Sequence, residues 1–255
     1  MKKLLIPFLT AGYPKKDWFE PLVRAMDSAG ADYIEIGVPF SDPIADGPTI
    51  QKASQDALDQ GVTASWILEE VRRFRKEISA ELIFFSYYNP LMALGGLETA
   101  AKRLKQAGFY GVLVPDLALE QAKPLASVLA AAGMHYIPLI APTTTAERLK
   151  AISPFTTGFA YGVSVTGVTG ARAGVAQGLE TYLERVRTTL DKPFVVGFGI
   201  ATPEDAHQIG QQADGIVVGS ALIKALEDSR NAEEATSKLT SFLKPIRDAL
   251  DSLSA

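Results

Sequence analysis

Short β-rich apolar runs recur along this chain, separated by amphipathic segments of helical spacing. The runs are LLIPFLTA (4–11), DYIEIGVPF (32–40), ELIFFSYY (81–88), GVLVPDL (111–117), HYIPLIAP (135–142), GFAYGVSV (158–165), PFVVGFGI (193–200) and GIVVGSA (215–221). Most are nearly continuous in apolar character, as strands buried on both faces read. Between them, ASWILEEVRRFRKEIS (64–79) places Trp66, Ile67, Val71, Phe74 and Ile78 near every third or fourth position, with charges opposite. LETAAKRLKQAG (97–108) ends on Gly108, a helix C-cap residue, and TPEDAHQIGQQAD (202–214) opens with Thr202 as N-cap and Pro203 at the first helical position. Strict alternation implies parallel strands with helical crossovers. Eight such units in 255 residues fit one α/β domain, a (β/α)₈ TIM barrel over residues 1–255. A doubly wound open sheet would want a Gly-rich turn after the first strand, and TAGYPKKD has a single glycine there. Segment 232–253 reads as an extension of the last helix, capping the outer ring.

Against that pattern, EIGVPFSDPIADGP (35–48) stands out. It sets Glu35 inside an apolar strand and follows it with Asp42 and Asp46 in a loop braced by three prolines. A charge paired with a neighbouring strand's Lys or Arg would be the plain explanation, but no other strand run carries a basic residue. Composition narrows the chemistry. No cysteine is present, which excludes disulfides, thiolate metal sites and a cysteine nucleophile. The two histidines, His135 and His207, lack ligand spacing, so no metal site is expected. A net charge of −4 is too mild to point to nucleic acid or an anionic membrane. MKKLLIPFLTAGYP breaks at Pro7 without a cleavage site, and no run is long enough to span a bilayer, so a soluble cytoplasmic protein is expected.

Active sites of such barrels lie at the C-terminal ends of the strands, and phosphate often sits between the loops after strands seven and eight. Gly197 and Gly199 end the seventh run here; Gly219 and Ser220 stand where the eighth opens into a helix. Glycine lets backbone N–H groups approach an anion, and the helix dipole favours it. SVTGVTGARAG (164–174) is small-residued, as a closing lid would be.

The stretches LTAGYP, EIGVPFSDPIADGPTIQ, SYYNP, GVLVPDL, APTT, GVSVTGVTGAR, GFGI and VVGSA occur in this order. In order and approximate spacing the chain resembles the tryptophan synthase α subunit family over nearly its whole length. The resemblance implies a (β/α)₈ barrel that cleaves indole-3-glycerol phosphate to indole and glyceraldehyde 3-phosphate by a retro-aldol reaction. It implies docking on a β subunit in an αββα tetramer, with pyridoxal phosphate held by that partner and no cofactor in the α subunit. It places Asp42, Asn89 and Pro90 at the partner contact, and Thr169 and Gly170 in a lid over the substrate, with Thr169 bonding Asp46 on closure. Two departures stand out. The family's short helix before strand one, which plugs the barrel floor, is missing here, because strand one starts almost at Met1. The usual Asp-Leu-Pro after strand four reads Asp116-Leu117-Ala118.

The reaction needs a proton delivered to indole C3, an anion at the ring N–H, and a base for the glycerol hydroxyl. Glu35, in an apolar strand, suits the proton shuttle, since burial raises a carboxyl pKa. Asp46, in a polar and proline-braced loop, suits a permanently ionised partner for the indole N–H. Phe8, Tyr161 and Phe198 sit near strand ends, where they can line an indole pocket, although each could equally be core. Gly199, Gly219 and Ser220 complete the substrate set. The competing reading is a stand-alone indole-3-glycerol phosphate lyase with the same residues and no partner. A Schiff-base aldolase would want a lysine within a strand, and none is found.

Overall fold

A computed structural model of the chain describes residues 2–163, 173–197 and 199–253. The strands are β1 (Leu4–Thr10), β2 (Tyr33–Gly37), β3 (Glu81–Phe85), β4 (Phe109–Leu113), β5 (His135–Tyr136), β6 (Leu139–Ile140), β7 (Ala160–Val163), β8 (Phe194–Gly197) and β9 (Gly215–Val218). The helices are α1 (Phe19–Ser28), α2 (Pro48–Asp59), α3 (Ala64–Phe74), α4 (Tyr88–Met92), α5 (Leu97–Ala107), α6 (Leu119–Ala131), α7 (Ala146–Ile152), α8 (Ala173–Thr189), α9 (Pro203–Gly210), α10 (Ser220–Leu226) and α11 (Ala232–Asp251). All pairings are parallel, in the order β5-β4-β3-β2-β1-β9-β8-β7-β6.

Among the described residues nine strands replace the expected eight, because the fifth run divides at Pro138. Its first half pairs with β4, and Ile137 N–H reaches Val112 O at 3.0 Å. Its second half pairs with β7, and Pro138 O accepts from Tyr161 N–H at 3.0 Å. Proline has no N–H for the ladder, so continuous pairing cannot pass through it. Segment 135–140 thus touches both edges and closes the barrel as a single broken stave.

Ile6, Ile83, Leu113, Ile137, Val195 and Val217 point inward and are fully shielded, forming the interior layers. A larger apolar shell lies between strands and helices; α3, for example, buries Ile67, Leu68, Val71 and Phe74. The expected caps form. Gly108 ends α5 at φ 88°, and Thr202 with Asp205 builds a capping box on α9. The expected extension of the last helix is instead two helices. α10 stops at Leu226, the chain turns through Asp228 at φ 61°, and α11 packs on α1, α9 and α10.

At the N-terminal ends of the strands, rings close the floor. Tyr33 lies 5.2 Å from Tyr110 and 5.1 Å from Phe159 in edge contacts, and Tyr110 stacks on His135 at 4.1 Å. Beside them Arg247 of α11 binds Asp32 at 3.0 Å, Lys3 O at 2.9 Å and Asp251 at 2.8 Å, while Asp32 also accepts Leu5 N–H.

Candidate active site

At the opposite end, the C-terminal mouth holds a cavity of about 610 Å³, within the range of small-molecule sites. Glu35, Asp46, Phe8, Tyr161, Gly199, Gly219 and Ser220 all line it, brought together from β1, β2 and β7, three loops and the first residue of α10. Thr169, Gly170 and Phe198 lie outside the described residues, as does most of the expected lid.

Glu35 sits mid-strand in β2, paired across to Phe8 and Ile83. The inward alternation of the strand aims it at the barrel axis. It is 1% exposed, and among the described residues neither carboxylate oxygen has a hydrogen-bond partner. Burial alone pushes its pKa up to about 8, because nothing nearby compensates the charge. An orphaned carboxyl in a core costs stability, and its place at the mouth of a cavity makes Glu35 a candidate functional group.

Asp46 comes from the loop between β2 and α2, half-buried at the rim. Burial raises its pKa, and a hydrogen bond donated by Tyr87 Oη to Oδ2 at 3.0 Å opposes that shift. Its surroundings are therefore less polar than the sequence suggested. Tyr161 Oη is pushed well above the usual tyrosine range by burial, then by the charges of Glu35 and Asp46. That hydroxyl lies so close to Gly197 that a Cβ there would fall 2.1 Å away. Gly197 therefore seats the ring. Phe8 packs edge-on against Phe85 at 5.4 Å, with Gly37 leaving room for its ring. Across the mouth Gly199 adopts φ 76°, which favours glycine. A Cβ at Gly219 would meet only Phe8 Cβ, at an ordinary contact distance of 3.9 Å, so this backbone at the start of α10 is uncrowded.

Asp42, Asn89 and Pro90 do not line the cavity. Asp42 and Asn89 are exposed outside it, and Pro90 is half-buried in α4. Ile44, two residues after Asp42, is 83% exposed, the one large apolar side chain so displayed among the described residues. Sequence reasoning passed over both Ile44 and Tyr87. The first reads as an ordinary apolar residue in a loop, and the second was visible only as part of the SYYNP stretch.

A parallel (β/α)₈ barrel with a buried carboxylate and glycine-lined turns at its C-terminal mouth is the architecture of a barrel enzyme. Comparison with known sequences narrows this. The chain belongs to the tryptophan synthase alpha chain family, whose profile matches residues 1–251. It is 42% identical to the tryptophan synthase alpha chain of Picosynechococcus sp. over 247 residues, covering 96% of this chain and 93% of that one. Among solved structures, the tryptophan synthase alpha chain of Legionella pneumophila superposes with a TM-score of 0.90 at 33% identity, covering 100% of this chain and 94% of the other. A chain from the tryptophan synthase α2β2 complex of Pyrococcus furiosus gives 0.88 at 37% identity, covering 96% and 99%.

Proposed function

We propose that this chain, as the α subunit of tryptophan synthase, cleaves indole-3-glycerol phosphate through Glu35 and Asp46. The orphaned, buried carboxyl of Glu35 on a cavity shared with Asp46 carries the reading. With a pKa near 8, Glu35 starts protonated at neutral pH. It gives its proton to indole C3, and the resulting positive ring is stabilised where its N–H donates to the Asp46 carboxylate. The Glu35 carboxylate then takes the proton of the glycerol hydroxyl. The carbon–carbon bond breaks, its electrons return to the ring, and indole and glyceraldehyde 3-phosphate part. Glu35 ends as it began, protonated. Phe8 and Tyr161 flank the indole, while Gly199, Gly219 and Ser220 take the phosphate at the start of α10. Thr169, Gly170 and Phe198 complete the substrate contacts in this reading.

The chain works as one domain, in the cytoplasm, and holds no cofactor; pyridoxal phosphate belongs to the β subunit. Among the described residues no helix is long and apolar enough to cross a membrane. The β subunit docks over the mouth, against Asp42, Asn89 and Pro90. Bare Ile44 in the same loop favours this over the stand-alone lyase, which would have no use for an exposed isoleucine there. The test is indole release from indole-3-glycerol phosphate, with and without a β subunit. Glu35→Gln should lower turnover by roughly 10²–10⁴-fold with little change in binding. Wild-type turnover in that variant would remove Glu35 from the chemistry.

A further inference from the structure

Tyr87 does not line the cavity, yet it is 2% exposed and its hydroxyl makes two bonds at the cavity's edge. It donates to Asp46 Oδ2 at 3.0 Å and accepts the backbone N–H of Ala45 at 2.9 Å. The ring packs on Phe40 at 5.1 Å, and Ser86 Oγ donates to the Tyr87 carbonyl at 2.9 Å. Both ends of the residue are thus fixed. One oxygen grips the loop at adjacent positions, once on backbone and once on carboxylate.

We propose that Tyr87 is a positioning residue, which fixes the Asp46 carboxylate in the orientation and charge state that the reaction uses. This rests on the assignment of Asp46 as the anion at the indole N–H. Such an anion must point one oxygen into the cavity, and a donor on Oδ2 leaves Oδ1 for the substrate. It must also stay ionised although half-buried. The groups facing it are Tyr87 from the loop after β3, Tyr161 from β7, and Glu35 from β2 through its effect on Tyr161. Asp116 lies farther out, near Tyr87. Among the described residues only Tyr87 donates to the Asp46 carboxylate, while Gln51 Nε2 donates to the Asp46 carbonyl at 2.8 Å, and no described Lys, Arg or His forms an ion pair with that carboxylate. Burial and the Asp46 charge hold the Tyr87 proton on the phenol, so the carboxylate remains the acceptor.

The experiment is the pH profile of kcat/KM for the full chain with a β subunit, which reports ionisations of the free enzyme. Tyr87→Phe should move the acid limb upward by about one unit, a roughly tenfold loss on that side. Activity should recover as pH rises toward the Glu35 limb. Replacing Tyr87 with 3-fluorotyrosine, a stronger donor of the same shape, should move the limb the other way and keeps the test open if Tyr87→Phe folds poorly. A uniform loss at every pH with the limb in place would mean a merely structural residue and would overturn the proposal, as would a limb unmoved by fluorination. Asp46→Asn separates the two ideas. Should it retain wild-type turnover, the assignment of Asp46 fails, whatever Tyr87 does.

Discussion

Glu35 is a buried carboxyl with no compensating partner among the described residues. Folded, it keeps its proton to about pH 8; unfolded, it releases it near 4.5. Its contribution to stability is therefore fully present below 4.5 and is lost as pH rises through 8. Glu35→Gln removes that dependence. Relative to the wild type, the variant should gain stability across this window, by up to about 5 kcal/mol. Urea midpoints at pH 5 and pH 9 check this: equal differences at both would mean that Glu35 is not buried as an acid. In the proposed mechanism the same ionisation should bring down the basic limb of kcat/KM near pH 8, since that mechanism needs Glu35 as proton donor. Residues with unusual chemistry for their element were the legible ones, because a carboxylate in an apolar strand contradicts its surroundings. Tyr87 was not, since a tyrosine near a strand end agrees with both a core and a site, and only its partner across 41 positions decides.

Two glycines at the C-terminal rim make opposite demands on the elements that carry them. At the end of β8, a Cβ on Gly197 would strike the Tyr161 hydroxyl at 2.1 Å, so Gly197→Ala should displace that ring, lower turnover and cost about 1–3 kcal/mol. Where β9 gives way to α10, a Cβ on Gly219 would meet only Phe8 Cβ, at an ordinary contact of 3.9 Å. Gly219→Val should leave the thermal midpoint nearly unchanged while raising KM, because the side chain would occupy the volume that the proposed function assigns to phosphate. A large loss of stability in Gly219→Val, or none in Gly197→Ala, would contradict this contrast. The alternation of strands and helices was readable because periodicity is local. The division of the fifth run was not read, although Pro138 stood in plain view; a proline can end a strand or simply sit at an edge, and neighbours choose. The break between α10 and α11 was missed for a similar reason. Asp228 at positive φ gives a weaker signal than glycine would.

For the molecule as a whole, Arg247 ties the start of the chain to its last helix. The side chain is 8% exposed and Asp32 14%, so the pair is largely withdrawn from water. Arg247→Met should cost roughly 3 kcal/mol, because Asp32 loses its buried partner although Lys2 remains nearby. Denaturant unfolding would measure this, and a change within error would mean that Lys2 suffices. Indole release should be unaffected, since this clamp lies at the end opposite the cavity. The floor has its own closure in the rings of Tyr33, Tyr110 and Phe159. The broken stave has a further consequence. β2 and β3 are joined at five successive positions, whereas the fifth stave holds each neighbour by only two paired residues and a flanking bond. A ring with one thin joint is not equally stiff all round; it gives at that joint. The wall beyond Pro138, where Leu139, Ala141 and Thr144 face the cavity, is therefore its compliant side. Ligands of different bulk should be accommodated by movement there, while the side that holds Glu35 keeps its shape.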